Sequence, residues 1–146
     1  MSRYKKLTLL HSNDMHGDFT AMDVDTNLVG GVSMLSGYID KVRREEANTL
    51  YCIAGDMFRG SVIDSEYKGL STIEIMNAIA PDVVTLGNHE TDYGIAHLLF
   101  LEKCAKFPIA DCEKATIKKA VLKRQNLNWL NCTAAENLSS FNLGKR

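Results

Sequence analysis

The chain has 146 residues, about one domain's worth. It is 45% hydrophobic and 24% charged, with 10 Gly and 2 Pro, a balance that excludes disordered, collagenous and low-complexity chains. Lys and Arg number 17 and Asp and Glu 18, for a net charge of −1, so no global field draws in a nucleic-acid polymer or an anionic membrane, and no apolar run reaches the roughly 18 residues of a membrane span.

The first six residues are basic enough for the start of a signal peptide. The apolar run behind them, residues 7–10, gives way at once to His11-Ser12-Asn13-Asp14, and no small-residue cleavage site follows. The start therefore reads as mature and the chain as cytoplasmic. In that compartment Cys52, Cys104, Cys112 and Cys132, which lack CxxC spacing, read as reduced thiols.

Residues 7–10, 50–54 and 83–86 are short, continuously apolar and rich in β-formers. Such runs read as strands buried on both faces. Between them lie helical patterns. Val32, Leu35, Ile39 and Val42 mark one face of a helix over residues 31–46, with Asp40, Lys41, Arg43, Arg44 and Glu45 on its outer face. A second helix begins near Ser71, which with Glu74 makes a capping box, and ends before Pro81. A third covers about residues 94–106, with Leu98, Leu101 and Ala105 inward, and stops before Pro108. Strand and helix alternate, the signature of the α/β class.

After Pro108 the pattern weakens. Ile117, Ala120, Val121 and Leu127 give a helical stripe among Lys114, Lys118, Lys119, Lys123 and Arg124, read as a solvated helix face. The polar end from Asn131 reads as frayed. The expected organisation is an N-terminal part, residues 1–108, and a divergent tail, residues 109–146.

Each apolar run ends in a polar cluster, at the strand ends where α/β sheets place their ligands. Taken as one site the clusters offer Asp14, His16, Asp18, Asp56, Asn88, His89, Glu90 and Asp92. Carboxylate, imidazole and amide oxygen together suit Mn²⁺, Fe²⁺ or Zn²⁺. Asp14 and His16, two apart at a strand end, can face the same way and grip one ion. Asp56 can bridge two ions, and Asn88 can offer a neutral oxygen to the second. That leaves His89 as a proton donor, with Asp92 holding its tautomer. Asp18 and Glu90 read as structural residues that orient neighbours or cap. Gly17, Gly55 and Gly87 fall where the backbone must turn sharply beside a ligand. Plainer readings stand beside these: Asp14, His16 and Asp56 as turn and capping residues, Asp92 as a helix N-cap, His11 packed at its strand end, His97 a surface or core residue, and Arg59 either a phosphate contact or half of a surface pair.

Asn13-Asp14-Met15-His16-Gly17, Gly55-Asp56-Met57-Phe58-Arg59-Gly60-Ser61 and Gly87-Asn88-His89-Glu90-Thr91-Asp92-Tyr93-Gly94 resemble, in order and spacing, the first three motifs of the calcineurin-like metallophosphoesterases. The branch they resemble most is the 5′-nucleotidase and 2′,3′-cyclic phosphodiesterase group. The resemblance implies the first βαβαβα half of a four-layer α/β/β/α sandwich. It implies two divalent ions (Mn, Zn, Fe or Mg), with Asp14 and His16 on the first, Asp56 shared and Asn88 on the second. It makes His89 and Asp92 the catalytic pair and a nucleotide or other phosphoester the substrate.

The chain also departs from that pattern. The family's later histidines have no counterpart, since no histidine lies beyond His97. Thr91 stands where the family usually has phenylalanine, which would loosen packing beneath His89. The expectation is thus a truncated 5′-nucleotidase-type hydrolase of nucleotide catabolism with an incomplete metal site, weakly active or inactive alone. The other reading is a non-catalytic remnant that binds metal weakly or a protein partner, with self-association through an uncovered sheet.

Overall fold

The computed structural model of the chain describes residues 4–110 together with residues 130–131 and 142–143. The strands are β1 (Thr8–Ser12), β2 (Met22–Val24), β3 (Asn27–Val29), β4 (Thr49–Ala54), β5 (Val83–Thr85), β6 (Ile109–Ala110), β7 (Leu130–Asn131) and β8 (Asn142–Leu143). The helices are α1 (Gly31–Glu45), α2 (Val62–Glu66), α3 (Leu70–Ile79) and α4 (Ile95–Cys104), and a single 3₁₀ turn spans His89–Thr91. The class is α/β, as the alternation of patterns implies. The stripe expected around Ile117 and Leu127, and Cys112 and Cys132, lie outside the described residues.

β1, β4, β5 and β6 form one parallel sheet in that order. Every connection steps the same way along the sheet, so right-handed crossovers place α1, α3 and α4 on one face. There Ile39, Ile73, Met76, Leu98 and Leu101 share a core with Tyr51, Ile53, Val84 and Ile109. The opposite face is barer. Leu9 and His11 of β1, paired with Leu50 and Cys52 of β4, are exposed, as is Ala54. Burial on both faces therefore holds for β5 and most of β4 but not for β1. As the sheet's edge strand β1 is covered on the helix side only, which also leaves His11 exposed rather than packed.

The helix ends explain other differences from the sequence reading. α3 starts at Leu70 behind a left-handed Gly69 that offers no side-chain cap. The expected capping box is not formed: Ser71 lies inside the helix, and its hydroxyl donates to the Ile63 carbonyl at 3.0 Å. Arg43 leaves the polar face of α1 and folds over the end of α3. It donates to the Ile79 and Ala80 carbonyls at 3.0 and 2.6 Å and approaches Asp82 at 3.4 Å. Those carbonyls have no partner within their own helix, so a guanidinium satisfies them.

Two further elements escaped the sequence reading. The β2–β3 hairpin turns on Asp25 and Thr26, both at positive φ (47° and 71°). A two-residue turn of this hand normally shows Asn-Gly or Asp-Gly, and this one shows neither. α2 is a short helix capped by Ser61, whose hydroxyl accepts the Asp64 N–H at 3.1 Å. Among the described residues no helix is long and apolar enough to cross a membrane, and Cys52 and Cys104 are free thiols.

Ile73 is completely buried where α3 meets the sheet. Ile73→Ala is expected to cost about 2–5 kcal/mol of stability, read from equilibrium urea unfolding. A loss below about 1 kcal/mol would mean that α3 is not seated on the sheet.

Candidate functional site

Beyond the ends of β1 and β4 the two chains stay paired. The Asp14, His16 and Gly17 N–H groups donate to the Gly55, Asp56 and Met57 carbonyls at 3.2, 3.0 and 2.8 Å. This continued ladder is irregular: Asp14, His16 and Asp56 all take left-handed φ, at 52°, 48° and 53°. Such a conformation is uncommon for any residue but glycine, though Asp and His tolerate it better than most. Three such residues packed together mark a strained, over-determined segment of the kind found at functional sites.

The result is a convergence of donors. Asp14, His16 and Asp56 each bring a ligand atom to within 4.8 Å of the others. The His16 Nδ1 lies 3.3 Å from the Phe58 carbonyl. A carbonyl can only accept, so Nδ1 is the donor here and Nε2 is the nitrogen left to face an ion. This backbone anchor is usual behind a metal-ligating histidine. Nε2 then sits 3.9 Å from Asp14 Oδ1, too far for a hydrogen bond yet close enough for both to share an ion. Asn13 donates its side-chain amide to the other oxygen of Asp14. Two carboxylates and an imidazole fit a borderline-hard divalent cation.

The third loop stands beside this group. His89 opens the 3₁₀ turn, and its N–H donates to Asp56 Oδ1 at 3.0 Å. Its ring meets the His16 ring edge-on with centroids 5.1 Å apart. His89 Nδ1 donates to Asp92 Oδ2 at 2.7 Å, and the Arg59 Nε donates to the same oxygen at 3.1 Å. The hydrogen bond to Asp92, with the charges of Asp92 and Asp56, holds the His89 pKa above the usual histidine range; partial desolvation and Arg59 oppose this. The bond to His89 also holds the Asp92 carboxyl below its usual range, helped by the charges of His89 and Arg59.

Two glycines let the loops approach. Gly55 turns at φ 85°, and a Cβ there would stand 2.7 Å from the Gly87 nitrogen. Gly87 has no positive φ. It is required by proximity, since a Cβ there would meet the Asp56 carboxylate and stand 2.7 Å from the Asp56 nitrogen.

Asp14, His16, Asp56, His89 and Asp92 are thus gathered at one end of the sheet. Asn88, immediately before His89, is exposed, and its side chain does not cap the turn. Asp18 is exposed and accepts weakly from Thr20, at 3.5 Å. Glu90 is buried and bonded to the backbone of the loop after β4 and of its own loop after β5. Thr91 is exposed and donates to the Asn88 carbonyl at 3.1 Å. His97 is half-buried and binds the Lys68 carbonyl at 2.7 Å. Arg59 also lies over the Tyr93 ring, 5.6 Å from its centroid.

Asp64 was missed by the sequence reading. Completely buried, it accepts from the Arg59 N–H (2.7 Å), the Thr72 hydroxyl (2.5 Å) and the Tyr93 hydroxyl (3.0 Å), and so braces the loop that follows Asp56. Ser61-x-x-Asp64 is legible as a helix start, but a helix start does not announce burial.

Residues 7–141 match the calcineurin-like phosphoesterase family. The chain belongs to this family. It is 38% identical to the mouse 5′-nucleotidase over 112 residues, 71% of this chain and 19% of that protein. The human 5′-nucleotidase is likewise 38% identical over 112 residues, with 71% and 20% covered. Among solved structures, the NAD nucleotidase of Haemophilus influenzae superposes with a TM-score of 0.66 at 29% identity, covering 80% of this chain and 22% of that one. The 5′-nucleotidase precursor of Thermus thermophilus does so with a TM-score of 0.64 at 30% identity, covering 81% and 24%. The chain spans about a fifth of the length of the curated relatives it matches. Phosphoesterases of this family are metal-dependent, and Asp14, His16 and Asp56 are a partial ligand group for such an ion.

In the metal-free chain the His89 imidazole is expected to stay protonated to higher pH than an unperturbed histidine, whose pKa is about 6.5. Asp92→Asn is expected to move the midpoint down, because the bond that favours the charged ring is lost. Following the His89 ring protons by NMR across the titration checks both. A midpoint at or below the ordinary value, unchanged in D92N, would mean that the pair is not formed in solution.

Proposed function

We propose that this chain carries part of the two-metal centre of a 5′-nucleotidase-type phosphoester hydrolase, acting on nucleotides in their catabolism. The observation that carries the reading is the meeting of Asp14, His16 and Asp56 within 4.8 Å, with the His89–Asp92 pair beside them. Asp14 and His16 would hold one divalent ion, Asp56 would be shared with a second, and Asn88 would serve that second ion. The donor set suits Mn²⁺, Fe²⁺, Zn²⁺ or Mg²⁺. When bound, such ions supply Lewis-acid activation of water and neutralise charge on the phosphoryl group.

The chain's own residues do the rest. The His89 N–H occupies Asp56 Oδ1 and leaves Oδ2 for a ligand. Asp92 fixes the ring through Nδ1, so the mobile proton sits on His89 Nε2, where it can pass to the departing oxygen of the ester. Arg59, bonded to Asp92, keeps that carboxylate in place. All four histidines fall at or before His97, so the ligands present form an incomplete set. The chain alone binds metal more weakly and hydrolyses more slowly than a centre with its full set of ligands would.

A second reading, a remnant that binds metal or a protein partner without catalysis, is favoured by the same shortage of histidines. The exposed Leu9 on the bare face of the sheet supports self-association there. The free thiols Cys52 and Cys104 fit a reducing compartment such as the cytoplasm. Burial pushes the Cys52 thiol up to about 11, which keeps it protonated and unreactive.

The test is element analysis of chain reloaded with Mn²⁺ and desalted, together with phosphate release from a nucleoside 5′-monophosphate. Release is expected to require Mn²⁺ and to fall about 10²–10⁴-fold in His89→Asn with the ion still bound. Asp56→Asn is expected to lose both ion and activity. Bound Mn²⁺ without any phosphate release would select the remnant. Release that survives a chelator, or either substitution, would sink the hydrolase mechanism.

A further inference from the structure

Glu90 is a buried titratable group that the proposed chemistry does not use. The residue is 1% exposed and is bonded to the backbone of Asp56, one of the candidate metal ligands. Oε1 accepts the Met57 N–H at 2.7 Å, and Oε2 accepts the Asp56 N–H at 3.0 Å and the Gly87 N–H at 2.5 Å. Asp56 and Met57 belong to the loop after β4, and Gly87 to the loop after β5. The second loop answers in kind, since its His89 N–H donates to Asp56 Oδ1 at 3.0 Å. Each loop thus places a carboxylate on the backbone of the other, forming a reciprocal clasp.

A buried carboxylate is tolerated only when hydrogen bonds replace its lost water. Here three backbone donors do so, and the chemistry admits no neutral substitute. A glutamine would turn its NH₂ toward at least one of the same N–H groups, leaving donor facing donor. The loop also needs the restraint. Asp56 is held at φ 53°, which an L-residue leaves unless its surroundings over-determine it. Released, it relaxes and carries its carboxylate away from Asp14 and His16.

We propose that Glu90 is a positioning residue that sets the divalent-metal affinity of the Asp14–His16–Asp56 group by clasping the Asp56 backbone to the Gly87–His89 turn. The assignment rests on the metal-centre reading above and extends it to a residue that touches no ion. It separates Glu90 from Asp82, another buried carboxylate, which takes the Tyr51 N–H at 2.9 Å at the opposite end of the same sheet.

The experiment titrates Mn²⁺ into the full chain, its Glu90→Gln variant and an Asp82→Asn control, with thermal unfolding of each recorded. E90Q is expected to weaken Mn²⁺ binding about 10–100-fold, the usual cost of losing a partner behind a metal ligand. D82N is expected to lower the unfolding temperature and leave Mn²⁺ affinity unchanged. Amide hydrogen exchange on the metal-free wild type adds a readout that needs no variant: the Asp56, Met57 and Gly87 amides are expected to be protected. Wild-type affinity in E90Q, an equal loss in D82N, or free exchange at those three amides overturns the assignment while the metal centre stands. A wild-type chain that takes up no Mn²⁺ overturns the metal-centre reading itself, and the assignment with it.

Discussion

Where a parallel ladder ends, its last backbone N–H groups still need acceptors, and leaving one buried and unmet costs about 1–3 kcal/mol. This chain meets that need with carboxylates. At the C-terminal end of the sheet Glu90 takes three N–H groups and Asp56 a fourth, while Asp64 holds the Arg59 N–H one loop further on. At the other end Asp82 takes the Tyr51 N–H, and Arg43 covers the carbonyls left open by α3. The same residues that close the backbone therefore fix where side chains stand at the strand ends.

That arrangement explains how strain and function share one segment. Asp14, His16, Asp56 and Arg59 all sit at positive φ. Each such residue stores energy that its surroundings must outweigh. The β1 and β4 loops are held by their continued pairing, and the β4 and β5 loops by contact between Gly55 and Gly87 and by the crossed carboxylates. These backbone restraints are what bring the donors of the candidate metal group together. Such preorganisation lowers the cost of gathering like-charged ligands around a cation.

The His89–Asp92–Arg59 chain is built differently. It is partly exposed and held by side-chain bonds, with Arg59 additionally lying over Tyr93. A braced group of candidate ligands thus faces a more open His89–Asp92 pair. That division suits a phosphoester hydrolase, whose ions need fixed ligands and whose proton donor must meet a departing group.

Much of this was legible in the sequence because its physical cause is local. Continuous apolar runs at 50–54 and 83–86 read as buried strands, the stripe of Val32, Leu35, Ile39 and Val42 as a packed helix, and the polar clusters after each strand as strand-end loops. The motif spacing named the family. What stayed hidden depended on neighbours far along the chain. The β2–β3 turn uses Asp25 and Thr26 where turn chemistry favours glycine. The capping role expected of Ser71 was displaced when Gly69 began α3. Arg43 reads as a surface charge until the end of α3 is packed beside it. Glu90 reads as a structural residue that orients neighbours or caps and Asp64 does not stand out, but the burial of neither is legible, since burial of a carboxylate is decided by donors from other loops. Sequence alone determined which residue types reach the end of the sheet. Only the tertiary structure decided which carboxylates converge as candidate ligands and which face the backbone, because that choice depends on N–H groups left unpaired where strands from distant parts of the chain meet.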